Sequence, residues 1–432
     1  MRSTIAGASA GSPRLSPVQM GKYFDDLETR SPEVRERALM RALQEQIANA
    51  KKNAAYFAKL LKGVHPHEVA DRATLARLPL TRKSDLMPLQ KADVPFAGMT
   101  AVPVSQLARV FASPGPIFDP QGDKKDYWGF ARALYAAGFR AGELVHNTFS
   151  YHFTPAGFML DLAAQALGCP VFPAGVGQTE LQVSTIAELR PACYAGTPSF
   201  LKIILEKADE MGKDVSSVKK AAVGGEAFLP SVRELLRKRG IEGFQTYGTA
   251  DLGLIAYETE AREGLVLDEG VIVEIVRPGT GDPVPDGEVG EVVVTTLTAE
   301  YPLIRFATGD LSALLPGMSP CGRTNVRIKG WMGRADQTTK VKGMFVHPSQ
   351  VSEVVKRHRE ILRARLTVAH DADKNDVMTL QVEIDGSPAE GLAAQIADTL
   401  REVSKLRGDI AFKLPATLPN DGKVIEDLRK YD

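Results

Sequence analysis

The chain has 432 residues, 44% of them hydrophobic and 25% charged, with 53 basic and 53 acidic side chains and a net charge of zero. That is a globular composition in a chain too long for one ordinary core, so two or more domains are expected. The charge balance argues against binding to nucleic acid or an anionic membrane, which needs a basic surplus, and no apolar run reaches the roughly 18 residues that span a bilayer.

The first residues lack the apolar stretch of a secretory signal, and a short flexible lead is expected there. Cys169, Cys193 and Cys321 form no CxxC pair, which fits reduced thiols and a cytoplasmic protein. Residues 17 to about 62 are rich in helix formers. Ser31-Pro32-Glu33 predicts a helix start, with serine as cap and proline at the first helical position. From 100 to 250, helical patterns alternate with short apolar segments at 144–145, 170–172, 192–195 and 220–223. This alternation predicts βα units around a largely parallel sheet. Glycines follow the candidate strands at Gly175, Gly196 and Gly224-Gly225, where ligands approach an open α/β sheet.

Beyond about 270 the texture changes. Runs at 270–276 and 290–296 read as strands, separated by turn-rich sequence at 278–287, and predict a β-rich subdomain over about 262–330. A break falls at 330–336. Past it, 351–358 reads as a helix and 363–370 and 377–384 as strands. Ser387-Pro388-Ala389-Glu390 has the form of a capping box. Leu392, Ile396, Leu400, Val403 and Leu406 then make an apolar stripe at helical spacing. The fold class is α/β: a large N-terminal domain over 1–332 with the β-rich subdomain, a connecting stretch at 333–336, and a small α+β domain over 337–432.

Four segments carry chemistry. Thr246-Tyr247-Gly248-Thr249-Ala250-Asp251 can set a hydroxyl on a phosphate and a carboxylate on a magnesium ion. In Arg305-Phe306-Ala307-Thr308-Gly309-Asp310, the glycine permits a turn that leaves Asp310 at a strand end, where its carboxylate can accept two ribose hydroxyls. Gly333-Arg334-Ala335-Asp336 lies between the domains, and Leu418-Pro419-Asn420-Asp421-Gly422-Lys423 puts a lysine on a loop near the C-terminus. Each also occurs as plain turn or surface.

In order and spacing, the four together resemble the adenylate-forming superfamily, most closely the phenylacetate–CoA ligase family. The resemblance covers nearly the whole chain. Residues 24–29 and 78–86 are similar to that family's approach to its first domain, and 330–350 is the most family-specific piece.

The resemblance implies a large α/β domain and a mobile C-terminal lid with the active site between them. It implies an ATP-dependent acid–CoA ligase that works through an acyl-adenylate. ATP, Mg and CoA are the expected cofactor and co-substrates, with a monomer or homodimer as the assembly. Lys423 and Thr249 become the candidate catalytic residues. Asp310, Arg334, Gly225, Glu226, Ala227, Tyr247, Gly248 and Ser113 become the nucleotide-binding candidates, with Tyr247 packing on the adenine plane. Asp251 stands where the family has glutamate, as the Mg ligand, and Asp336 is the hinge residue. The acyl pocket is expected from Phe149, Tyr151, Phe153, Ala195 and Gly224, whose aromatics suit a flat apolar acid such as phenylacetate or indoleacetate.

One segment departs from the family. Its phosphate loop is rich in serine, threonine and glycine and usually ends in Gly-Lys, but here residues 111–120 keep only Ser113 and Gly115. Prolines remove backbone N–H donors there, and Asp119 is expected to repel a phosphate, with Lys124 and Lys125 following closely. Two alternatives stay open: adenylation with another acyl acceptor, and a non-catalytic acid-binding homologue.

Overall fold

Short parallel strands separated by helices fill the middle of the chain, from Val145 to Thr249, and their order fixes where a ligand can approach. The computed structural model describes residues 21–277, 280–332, 334–335, 339–342, 344–346, 348–371, 374–419 and 423–429. The expected flexible lead, the hinge residue Asp336 and residues 420–422 lie outside these.

The largest sheet has nine strands, in the order Leu314–Leu315, Arg327–Ile328, Leu265–Leu267, Gly253–Glu258, Glu242–Thr249, Lys220–Val223, Cys193–Gly196, Val145–Asn147 and Val171–Pro173. From Glu242–Thr249 onward the pairing is parallel, as the alternating pattern predicts. Helices Phe130–Ala136 and Ala156–Ala166 supply Phe130, Leu134, Leu160 and Ala163 to one core, while Thr179–Leu189 and Pro198–Glu210 supply Val183, Ile186, Leu201 and Ile204 to another. Parallel strands buried on both faces need such cover.

A second sheet orders Thr81–Arg82, Phe306–Ser312, Gly290–Thr296 and Val271–Val276. The subdomain expected over 262–330 is therefore corrected. Its strands at 265–267, 314–315 and 327–328 return to the nine-stranded sheet, and the smaller sheet recruits residues 81–82 from far upstream. Arg305 explains the recruitment. Its guanidinium meets buried Glu274 through two bonds of 3.0 Å and donates to the carbonyls of Ala76 (2.7 Å) and Leu78 (2.5 Å). The approach segment is thereby held so that Thr81 pairs in parallel with Phe306, and the helix Lys83–Ala92 starts beside the functional region.

The first long helix, Pro32–Asn53, begins as the sequence predicts, with the Ser31 hydroxyl accepting from Val34 N at 3.3 Å. In the tail, the sheet order is Asp409–Lys413, Asp376–Ile384, Ile361–His370 and Ile425–Asp427, covered by Pro348–Arg357 and Leu392–Ser404. The capping box expected at 387–390 does not start the second helix, which begins at Leu392 behind Gly391 at φ +81° with no side-chain cap. Leu392 is the first residue of the apolar stripe to reach the core with Ile396 and Leu400. Packing, not the cap, sets the start. Among the described residues no helix is long and apolar enough to cross a membrane.

Candidate active site

The parallel strands end together along one rim, and several expected site residues lie there. Ala195 is buried in the strand Cys193–Gly196, and Gly224, Gly225, Glu226 and Ala227 follow the end of Lys220–Val223. Glycine is required at two of these positions. A Cβ on Gly224 would meet the Thr246 hydroxyl at 2.5 Å, and Gly225 sits at φ +79°, a region costly for residues with a Cβ. Phe149 faces Gly225, its ring 3.6 Å from where a Cβ there would stand. The Glu226 carboxylate accepts from Ser199 N at 2.7 Å, at the start of the helix Pro198–Glu210.

Asp310, on the strand Phe306–Ser312, faces this rim from the second sheet. Its carboxylate is already engaged. The Tyr247 hydroxyl donates to Oδ2 at 3.0 Å, while Trp331 Nε1 and Arg334 each approach Oδ1 at 3.2 Å. The backbone fixes this meeting. Met332 N donates to the Leu311 carbonyl, Ala335 N to that of Gly309, and Asp310 and Arg334 form an antiparallel bridge. The stretch leading out of the large domain is thus zipped along the strand that carries Asp310. Burial and the neighbouring Asp310 charge push the Tyr247 phenol well above its ordinary value, so it stays a donor. Its ring is buried and its hydroxyl committed to Asp310.

Next to this lies the turn after Glu242–Thr249. The Thr249 hydroxyl accepts from Leu252 N at 3.2 Å and closes the turn, and a Cβ on Gly248 would meet the Gly253 carbonyl at 2.4 Å. The Asp251 side chain is wholly buried, and its Oδ2 accepts from the Lys83 ammonium. Burial works against the Lys83 charge, but Asp251 beside it holds the ammonium above its ordinary value.

The segment expected as a degenerate phosphate loop is a β-hairpin, Arg109–Ser113 against Ile117–Gln121. It is held on both sides. Gln90 of the helix Lys83–Ala92 brackets Phe118 (2.9 Å from the Phe118 carbonyl, 2.7 Å from its N–H), and Ala112 N donates to the Phe153 carbonyl at 2.9 Å. Ser113 donates to the Ile117 carbonyl at 3.3 Å across the turn. Asp119 does not face outward to meet a phosphate, as the sequence led one to expect. Its carboxyl is fully buried beside Asp251, where burial first and the Asp251 charge second push it up to about 8.

The acyl candidates divide. Phe149 and Ala195 lie at the rim near Gly224. Tyr151 is tied into the scaffold, donating to Asp161 at 2.8 Å and accepting from Asn147 at 2.8 Å. Phe153 is 81% exposed, so its ring does not join the others at the rim. Lys423 lies just before Ile425–Asp427, the edge strand of the tail sheet, with its ammonium 3.7 Å from Glu426.

Residues 130–298 match the AMP-binding enzyme family. A phenylacetate–coenzyme A ligase of Thermus thermophilus is 32% identical over 91% of this chain and 92% of its own length. One from Aromatoleum evansii is 34% identical over 80% of this chain and 82% of its own. The chain belongs to the phenylacetate–CoA ligase family. In fold it is similar to a crystal structure of 2-hydroxyisobutyryl-CoA ligase in complex with its adenylate and CoA in the thioesterification state. That similarity has a TM-score of 0.78 at 22% identity, covering 96% of this chain and 94% of the other.

Within this family frame, the residues missed from sequence are Lys83, Trp331 and Tyr301. Lys83 carried one signal, a basic residue at the first position of a helix in the approach segment. Trp331, three residues before Arg334, was visible only as an aromatic near the domain break. Asp251 Oδ1, both oxygens of Asp119 and the Tyr301 hydroxyl are buried without a hydrogen-bond partner among the described residues, and hard oxygen donors of this kind are the type that suits Mg.

Proposed function

We propose that this chain activates an aromatic carboxylic acid, of the phenylacetate or indoleacetate class, in the crevice between Asp310 and the rim of the parallel sheet. Family membership makes it an AMP-forming acid–CoA ligase with ATP and CoA as co-substrates. The observation that carries the placement is Asp310. Three side chains from separate segments, Tyr247, Trp331 and Arg334, hold its carboxylate at the rim.

In the first half-reaction the acid's carboxylate oxygen attacks the α-phosphorus, the bond to the bridging oxygen breaks, and pyrophosphate leaves. In the second, the CoA thiolate attacks the acyl carbon of the adenylate and AMP departs with the C–O electron pair. Asp310 and Arg334 hold the ribose. Gly225, Glu226, Ala227 and Gly248 surround the base, and Tyr247, instead of stacking on it, fixes Asp310 through its hydroxyl. Thr249, whose oxygen accepts from Leu252 N, keeps its hydroxyl proton to donate to a phosphate, Ser113 reaches one by giving up its bond to the Ile117 carbonyl, and Phe149, Ala195 and Gly224 shape the acyl side. Asp251 is the residue that would hold Mg, which when bound offsets phosphate charge. Lys423 lowers the repulsion between the incoming carboxylate and the α-phosphate, an electrostatic effect at the transition state. Asp336 is the hinge about which the C-terminal lid, residues 337–432, turns to exchange Lys423 for the CoA thiol.

The test is AMP formation from ATP against a panel of aromatic and aliphatic acids, with and without CoA. Aryl acetates should give acid-dependent AMP that multiplies when CoA is added. AMP without any response to CoA would move the reading to another acyl acceptor. Acid binding with no affinity for ATP would favour a non-catalytic homologue, a reading that the altered hairpin at 109–121 keeps in play.

A further inference from the structure

The hairpin that replaces the phosphate loop brings a second carboxylate to Asp251. Asp119 reaches it from the strand Ile117–Gln121, Asp251 from the turn after Glu242–Thr249, Lys83 from the first position of the helix Lys83–Ala92, and Tyr301 from the segment before Phe306–Ser312. Asp119 is 0% exposed, Tyr301 2% and Asp251 7%. Asp119 lies against both Asp251 and Lys83, and the Tyr301 phenol feels both carboxylates. Four oxygens in this cluster, Asp119 Oδ1 and Oδ2, Asp251 Oδ1 and the Tyr301 hydroxyl, have no hydrogen-bond partner among the described residues.

A buried polar atom left unpaired is costly, and more so when charged. Four such atoms from one cluster mark a place built to receive something. Charge says what. The single ammonium of Lys83 already contacts Asp251 Oδ2, so the second acidic group, Asp119, has no cation of its own among the described residues. A divalent cation supplies what both acidic groups lack: two carboxylates, one ammonium and one dication sum to one positive charge, which suits a neighbouring phosphate. Mg²⁺ is ordinarily held by one or two carboxylates together with water and substrate phosphates.

We propose that Asp119 and Asp251 jointly hold a divalent cation in a site formed before the nucleotide arrives, with Tyr301 as a flanking oxygen donor. Asp119 is thus a binding residue that the altered hairpin contributes, not a defect in it. This rests on the reading of Asp251 as the metal-holding residue, and the experiment separates the two.

Full-length protein stripped with EDTA is titrated with Mn²⁺ in the absence of nucleotide, and free Mn²⁺ is followed by its electron paramagnetic resonance signal. Wild type should bind one Mn²⁺ per chain, displaced by Mg²⁺. Asp119→Asn and Asp251→Asn should each weaken that binding tenfold or more. A thermal melt checks folding, and Asp119→Ser is the second variant should the asparagine fail to fold. If Asp251→Asn abolishes Mn²⁺ binding while both Asp119 variants match wild type, Asp119 is not a ligand and the inference falls, though Asp251 keeps its role. Absence of stoichiometric Mn²⁺ binding to wild type without nucleotide overturns the preformed site as well.

Discussion

Replacing Asp310 with asparagine removes one charge and one acceptor while keeping the shape of the side chain. In the wild type, Oδ1 accepts from Trp331 and Arg334 and Oδ2 from Tyr247. The new amide places its NH₂ toward Tyr247 with least loss, because a hydroxyl can turn and accept whereas an indole N–H and a guanidinium cannot. The folded protein therefore keeps most of its bonds here, and stability should fall by only about 1–2 kcal/mol. The nucleotide fares worse. A ribose hydroxyl loses a charged acceptor, worth about 1.5–3 kcal/mol, or roughly a 10- to 150-fold rise in the KM for ATP at about 1.4 kcal/mol per tenfold. Acid-dependent pyrophosphate release, followed across ATP concentrations at saturating acid, reads this directly. The KM for the acid should move far less. A folded variant whose KM for ATP changes less than about threefold, well below the range set by a charged hydrogen bond, would refute the role given to Asp310.

Arg305→Met leaves Glu274 buried and unpaired and strips the carbonyls of Ala76 and Leu78 of their donor; urea unfolding should show a loss of about 3–5 kcal/mol, and a loss below about 1 kcal/mol would contradict the pairing. Asp126 is raised by burial to about 6 from an ordinary 3.8. Between those values the folded form keeps a proton that the unfolded chain has lost, so this group adds stability as pH falls and costs it above pH 6. Asp126→Asn should accordingly exceed wild type in stability at pH 8 by on the order of 2–3 kcal/mol, with the gap closing by pH 4; equal stability at both pH values would count against the buried charge. Lys423→Ala should slow adenylation about 10²–10³-fold while sparing thioester formation from supplied acyl-adenylate, and equal losses in both half-reactions would deny the lysine its separate role.

Much of the large domain is legible in the chain because its determinants are local. β-Branched runs give Val271–Val276 and Gly290–Thr296, and Ser31-Pro32 gives the first long helix. Sheet membership is not local. Nothing near residue 81 says that it will pair with Phe306, since the bond that decides it, Arg305 to the carbonyls of residues 76 and 78, spans more than 200 positions. The site divides in the same way. Asp310 and Arg334 stand out by motif, yet the donors that fix Asp310, Tyr247 and Trp331, come from 63 and 21 residues away. Asp119 looked repulsive because only the hairpin register and the clamp of Gln90 on Phe118 reveal that it turns inward to Asp251 and Lys83.

The most direct test of the central claim is a single turnover without CoA. Enzyme in excess is mixed with an aryl acetate and ATP labelled with ³²P at the α- and γ-phosphates in parallel reactions, quenched, and the labelled species are separated. Acid-dependent acyl-adenylate with matching pyrophosphate is the expected result; labelled ADP, or unchanged ATP with every acid of the panel, would contradict it.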